Sequence, residues 1–98
     1  MKKLSSTDNL ETIQARVVGR VQGVGFRAAT VRQAHMLKIT GWVRNADDGA
    51  VEALLQGPAD QLDRMLSWLH VGPPSARVDE VQHQEDPTER RFEGFQQL

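Results

Sequence analysis

The chain of 98 residues contains no cysteine and no tyrosine, and only 5% of its residues are aromatic. Without cysteine it can have no disulfide framework, no thiolate nucleophile and no cysteine-ligated metal. Charges of one sign do not dominate either, because 12 basic residues stand against 13 acidic ones and the formal net charge is -1. That balance argues against a surface built for nucleic acid or anionic lipid. Any anion site must therefore be local.

Long apolar stretches are also missing. The sequence begins MKKLSSTDNLE, where two lysines precede polar residues instead of the apolar stretch of a secretory signal. No run approaches the roughly 20 apolar residues that cross a bilayer. We therefore expect a cytoplasmic protein without a membrane segment, with a disordered tail over residues 1–10 and a single domain over residues 11–98.

Apolar spacing predicts the order strand, helix, strand, strand, helix. TIQARVV (12–18) alternates with the period of a half-buried strand. Residues 26–38 carry an apolar stripe at helical spacing, formed by Phe26, Ala29, Thr30, Ala34 and Leu37. The Asp-Gly turn between TGWVRNA and AVEALLQ predicts a hairpin. A second helix follows within residues 57–72, with Pro58 expected at its first position. Its predicted apolar stripe consists of Leu62, Met65, Leu66 and Leu69.

The C-terminal part predicts a fourth strand, ARVDEVQHQ, and leaves room for a short fifth in RFEGFQQL. Val78 and Val81 are three residues apart, so both can face the core only if a bulge intervenes. We expect Phe92 and Phe95 to cover the core near the end of the chain. With right-handed crossovers, this order predicts an α+β fold, the ferredoxin-like α/β sandwich (βαββαβ), with a mostly antiparallel sheet and both helices on one face.

A glycine-rich stretch, GRVQGVGFR, joins the first strand to the first helix. Gly19, Gly23 and Gly25 allow sharp backbone bends, and successive amides at a helix N-terminus can form an anion-binding concavity. Arg27 follows in the first helical turn, where its guanidinium offers a fork of donors to phosphate. The stretch satisfies neither the Walker A motif nor the Rossmann fingerprint. Taken alone, it is explained equally well as an ordinary turn followed by a surface arginine.

Two separated segments resemble the acylphosphatase family. GRVQGVGFR resembles that family's signature, and GWVRNADDGAVEALLQG resembles its second one. GPPSARVDEV is similar to the family's Gly-Pro-x-x-Ala-x-Val segment. The ending FEGFQQL departs from the apolar-aromatic strand, closed by an Arg-aromatic pair, with which many members finish. That departure puts the fifth strand in doubt, together with any contact between the chain's end and Arg27.

The resemblance implies hydrolysis of the mixed anhydride between a carboxylic acid and phosphate. By match of motif, Arg27 and the loop amides would hold the phosphoryl group, and Asn45 would orient the attacking water. Arg20 is an additional candidate contact. The alternative for Asn45 is a residue that caps the end of its strand before the turn. The loop residues concerned are Gln22, Gly23, Val24, Gly25 and Phe26.

This chemistry requires no cofactor, because the leaving carboxylate has a conjugate acid with a pKa of about 4 and departs without a proton donor. We expect no metal, since His35, His70 and His83 lack metal-ligand spacing. The expected partner is a small-molecule acyl phosphate, with no nucleic acid or membrane partner, and the expected form is a monomer. Three alternatives stay open: a non-catalytic phosphate-binding module, an acylphosphatase-like segment of a large carbamoyl-transferring maturation protein, and an RNA-binding ferredoxin-like domain.

Overall fold

The computed structural model describes residues 10–98. The predicted tail lies outside the described residues except for Leu10, which begins the first strand. The elements are β1 (Leu10–Arg20), α1 (Phe26–Leu37), β2 (Thr40–Asn45), β3 (Val51–Pro58), α2 (Ala59–Leu69), β4 (Arg77–Glu85) and β5 (Phe95–Gln97).

The strands form one sheet in the order β4-β1-β3-β2-β5. Its pairs are antiparallel except for β2 and β5, which are parallel. The two helices contact each other and pack on one face of the sheet. The predicted ferredoxin-like sandwich is therefore confirmed, and the short fifth strand is present despite the unusual C-terminal sequence.

The second helix follows its predicted apolar stripe. Its buried residues are Leu62, Met65, Leu66 and Leu69. The expected place of Pro58 is wrong by one position, because this residue is the N-cap with an extended backbone (φ -64°, ψ 150°). Pro58 is still paired with Leu10 at the end of β3, and that pairing keeps it out of the first helical turn.

A bulge lies where β1 meets β4, as the spacing of the two valines predicted. The register shifts between Val18 and Gly19, and Asp79 has no partner on β1. The extra residue brings both Val78 and Val81 against the core, which a regular strand could not do.

Gly19 serves this bulge and lies inside β1, so its assignment to the glycine turn is wrong. Its φ is 142°, and a Cβ at this position would lie 2.2 Å from the carbonyl oxygen of Arg77. Close approach of two backbones therefore requires glycine here.

The segment over residues 86–94 crosses the helix-free face of the sheet from β4 to β5. Gln56, which is buried, holds it there by donating to the Arg90 carbonyl (2.8 Å) and accepting from the Phe92 amide (3.0 Å). Phe95 is buried in the core as expected. The expectation for Phe92 is wrong, because these hydrogen bonds keep it on the opposite face, where it lines a groove.

An ion-pair network on this face holds the hairpin turn. Arg16 binds Asp48 in the turn and Glu52 on β3. Asp48 also accepts a hydrogen bond from the Ala50 amide (3.1 Å). The Arg16 guanidinium, followed by that amide, lowers the pKa of Asp48 below its ordinary value.

We expect Asp48→Asn to lower the free energy of unfolding at neutral pH, by a small amount because the site is exposed. A carboxylate with a lowered folded-state pKa stabilises the fold above its unfolded pKa of about 4, and this stability is lost as the pH falls through the folded value. Denaturant unfolding at pH 7 should separate wild type from variant, and the gap should narrow as the pH falls below about 4. Asp47→Asn, in the same turn, is the matched control. A gap that is independent of pH would contradict the prediction.

Candidate active site

The loop over residues 21–25 connects β1 to α1 and is anchored at both ends. Val21 and Phe26 are each 1% exposed. Gly23 and Gly25 have φ values of 75° and 80°, a left-handed conformation that strains other residues. A Cβ at either glycine would meet nothing within 4 Å. The glycines therefore serve the bend and leave open space beside the backbone.

The N-terminus of α1 offers unused amide donors to that space. Its N-cap, Gly25, supplies no side-chain hydrogen bond, and the first turn contains no acid. The first bond along this helix runs from the Ala29 amide to the Gly25 carbonyl (3.0 Å), so the amides of residues 26–28 have no acceptor within the helix. These donors and the positive end of the helix dipole favour a bound anion.

Two side chains, one within the loop and one outside it, hold the loop in place. The Gln22 amide group donates to the carbonyls of Ala46 (2.8 Å) and Ala50 (2.9 Å) in the β2–β3 turn. The Ser75 hydroxyl, between α2 and β4, donates to the Val24 carbonyl (2.7 Å). The loop is therefore fixed to the hairpin on one side and to the α2–β4 connection on the other.

Arg27 lies beside the end of β5. Its Nη1 donates to the main-chain oxygen of Leu98 (2.7 Å), and the Leu98 amide donates to the Val43 carbonyl on β2 (2.8 Å). The contact between Arg27 and the chain's end, which the C-terminal sequence put in doubt, is thus formed. It links the arginine to the strand that ends at Asn45.

Asn45 is the last residue of β2 and pairs with Val51. It is exposed, and its side chain makes no hydrogen bond to any residue from 10 to 98. Ala46, the next residue, accepts the bond from Gln22. The hairpin position of Asn45 is therefore tied to the loop, while its amide remains available.

Arg20, the additional candidate, is the last residue of β1 and is exposed. In the described part of the chain, no side-chain hydrogen bond or ion pair joins it to the loop. The structure therefore brings Arg27 and the loop together with the hairpin but does not connect Arg20 to them.

A groove of about 640 Å³ lies on the helix-free face of the sheet. Two guanidinium-aromatic stacks line it: Arg44 over Trp42 at 5.0 Å and Arg90 over Phe92 at 4.9 Å. None of its lining residues belongs to the loop over residues 21–25 or is Arg27. The groove is therefore separate from the glycine turn.

Metal ligands do not converge in the described residues, where no three His, Asp or Glu side chains are grouped to hold an ion. His70, at the end of α2, is instead bonded through its Nδ1 to the Leu66 carbonyl (2.9 Å). Among residues 10–98, no helix is both long and apolar enough to span a membrane.

Sequence reasoning gave Gln22 only a backbone role and did not identify the contacts of its side chain. It also gave no role to Ser75. The signal that could have identified Gln22 is its residue type, because a long amide in a loop of small residues can bridge to a neighbouring turn.

Comparisons with known proteins show which family the chain resembles. The acylphosphatase family model matches residues 13–97. An acylphosphatase of Burkholderia thailandensis is 63% identical over 90 residues, which cover 92% of each chain.

Solved structures give the same result for the fold. An acylphosphatase from Coxiella burnetii superposes with a TM-score of 0.91 at 34% identity, covering 98% of this chain and 100% of its own. An acylphosphatase from Bacillus subtilis gives 0.86 at 35% identity, covering 91% and 98%.

Proposed function

The chain belongs to the acylphosphatase family and is an enzyme that hydrolyses acyl phosphates, and we propose that the loop, Arg27 and Asn45 form its active site. The observation that carries this proposal is that hydrogen bonds link three segments that are separate in the sequence: the loop with Arg27, the β2–β3 hairpin and Leu98. Gln22 joins the loop to the hairpin, and Leu98 joins Arg27 to β2.

The phosphoryl group binds at the N-terminus of α1. The amides of the loop and of the first helical turn, Gln22 to Phe26, surround its oxygens, and the open space beside Gly23 and Gly25 admits it. Arg27 uses one donor on Leu98 and has others for the phosphate, because a guanidinium carries five N–H groups. Its fork geometry suits bidentate contact with two phosphoryl oxygens.

These groups provide what the reaction requires. Phosphoryl transfer passes through a loose transition state, and catalysis depends on positioning and on stabilising charge at the equatorial oxygens. The acyl leaving group departs as a carboxylate whose conjugate acid has a pKa of about 4, so no general acid is needed. The oxygen and both protons of the attacking water end on the product phosphate as the bond from phosphorus to the carboxylate oxygen breaks, so neither the amides nor Arg27 must change protonation.

Asn45 orients the attacking water. Its exposed amide at the end of β2 can accept from and donate to a water molecule on the side of the phosphorus opposite the leaving carboxylate. Holding the nucleophile in line removes part of the entropic barrier. We propose further that the enzyme acts as a metal-independent, cytoplasmic monomer without nucleic-acid partners.

We expect release of inorganic phosphate from benzoyl phosphate to proceed at an unchanged rate when excess EDTA is present. The reason is that the proposed donors are amides and a guanidinium, none of which binds a cation. The measurement is the initial rate before and after prolonged chelation, with magnesium added back. A rate lost with EDTA and restored by magnesium would show that a cation is part of the site. Phosphate binding without release of phosphate from benzoyl phosphate would favour a non-catalytic module instead.

A further inference from the structure

The side chain of Gln22 bridges the two ends of the β2–β3 turn through two hydrogen bonds, which we call the Gln22 clamp. Its Nε2 has two hydrogens, and each has one acceptor, at Ala46 (2.8 Å) and at Ala50 (2.9 Å). The same turn contains a backbone bond from the Ala46 amide to the Ala50 carbonyl (2.8 Å). Gln22 therefore extends the ladder of the hairpin by two bonds, from a residue far away in the sequence.

This clamp is specific to one pair of segments. Within residues 10–98, no other hydrogen bond joins the loop over residues 21–25 to the turn over residues 45–50. Gln22 is half-buried, which limits competition from water for its two acceptors. The Ser75 hydroxyl, in contrast, bonds to the loop and not to the turn.

We propose that Gln22 is a positioning residue, which sets the distance between the bound phosphate and the water held by Asn45. This inference rests on the active site proposed above and assigns a role to a side chain whose hydrogen bonds go to the β2–β3 turn. In-line attack needs the nucleophile about 3 Å from the phosphorus, and an error of about 1 Å can cost about 100-fold in rate. The phosphate is held by the loop and the water by the hairpin, so the connection between them determines that distance.

The chemistry of the clamp requires an amide. Methionine has a similar length but no donor. Glutamate would place carboxylate oxygens against two carbonyl oxygens, which repel it. We therefore expect Gln22→Met and Gln22→Glu to release the hairpin while leaving the glycines and Arg27 in place.

The test combines turnover with phosphate affinity. For wild type, Gln22→Met, Gln22→Glu and the control Gln82→Met, kcat for benzoyl phosphate and the inhibition constant of inorganic phosphate are measured. In Gln22→Met we expect kcat to fall about 10- to 100-fold, with phosphate inhibition within about 2-fold of wild type. Gln82→Met should leave both values unchanged, because Gln82 is an exposed glutamine on β4 whose side chain makes no hydrogen bond within residues 10–98.

A double-mutant cycle with Asn45→Ala makes the test decisive. If Gln22 acts through Asn45, Gln22→Met causes little further loss of kcat in the Asn45→Ala background. An unchanged kcat in Gln22→Met, or losses that multiply fully in the double variant, would overturn the inference. If Asn45→Ala alone retains full activity, the proposed active site fails, and that result is separate from any effect of Gln22→Met.

Should Gln22→Met fail to fold, Gln22→Glu supplies the same cycle. If neither folds, slow solvent exchange of the wild-type Gln22 side-chain amide protons is still required, and fast exchange would overturn the clamp.

Discussion

Arg27→Ala should lose nearly all acyl phosphate hydrolysis, with kcat/KM falling about 100- to 1000-fold or more. The guanidinium is the one full positive charge that the proposed site places on the phosphoryl group, and the amides supply only partial charges. Inhibition by inorganic phosphate should weaken about 10-fold or more, because a hydrogen bond to a charged group contributes about 1.5–3 kcal/mol. Steady-state kinetics with benzoyl phosphate and phosphate inhibition measure both effects.

Arg32→Ala is the matched control, because Arg32 is an exposed arginine on the same helix. It should retain wild-type kinetics. Arg27→Lys should recover only part of the activity, since lysine keeps the charge but lacks the planar fork. If phosphate inhibited Arg27→Ala as strongly as it inhibits wild type, the phosphoryl group would have to bind elsewhere.

Asn45→Ala should lower kcat about 100-fold while phosphate inhibition stays within about 2-fold of wild type. The expected split arises because Asn45 holds the water, and the loop and Arg27 hold the phosphate. The fold should tolerate the change, because the Asn45 side chain is exposed and bonds to nothing among residues 10–98. A shift below about 0.5 kcal/mol in the free energy of unfolding is expected for such a site.

Asp47→Ala is the control for Asn45, because both residues are exposed and belong to the same hairpin. It should leave kcat unchanged. If Asn45→Ala instead unfolds the protein at much lower denaturant, the residue is a structural cap of its strand. If kcat and phosphate affinity fall together, Asn45 contacts the phosphate and not the water.

The local patterns of the sequence determined most of the fold. The buried face of α2 is the predicted stripe, and the buried residues of α1 are Phe26, Ala29, Thr30 and Ala34, all of them on its predicted stripe. The hairpin and the bulge near Val78 also follow from short-range rules of turn chemistry and strand period. These features depend on neighbours within a few residues, and such neighbours can be identified in the sequence.

The site was predicted less completely. The glycine turn, Arg27 and Asn45 came from motifs, and their proposed roles still await the kinetics above. The error over Gly19 has a clear cause: a glycine beside a loop looks like part of it, and only the pairing of β1 with β4 reveals the backbone of Arg77 against it.

Only the tertiary structure decided which distant groups meet. Arg27 and Leu98 are 71 residues apart, Gln22 and Ala50 are 28 apart, and Val24 and Ser75 are 51 apart. No periodicity or turn rule encodes such contacts, because they depend on strand order and on the path of the segment over residues 86–94. The sequence by itself determined the elements, the family resemblance and the candidate chemistry. Packing of the whole sheet brought the loop, the hairpin and the end of the chain to one place.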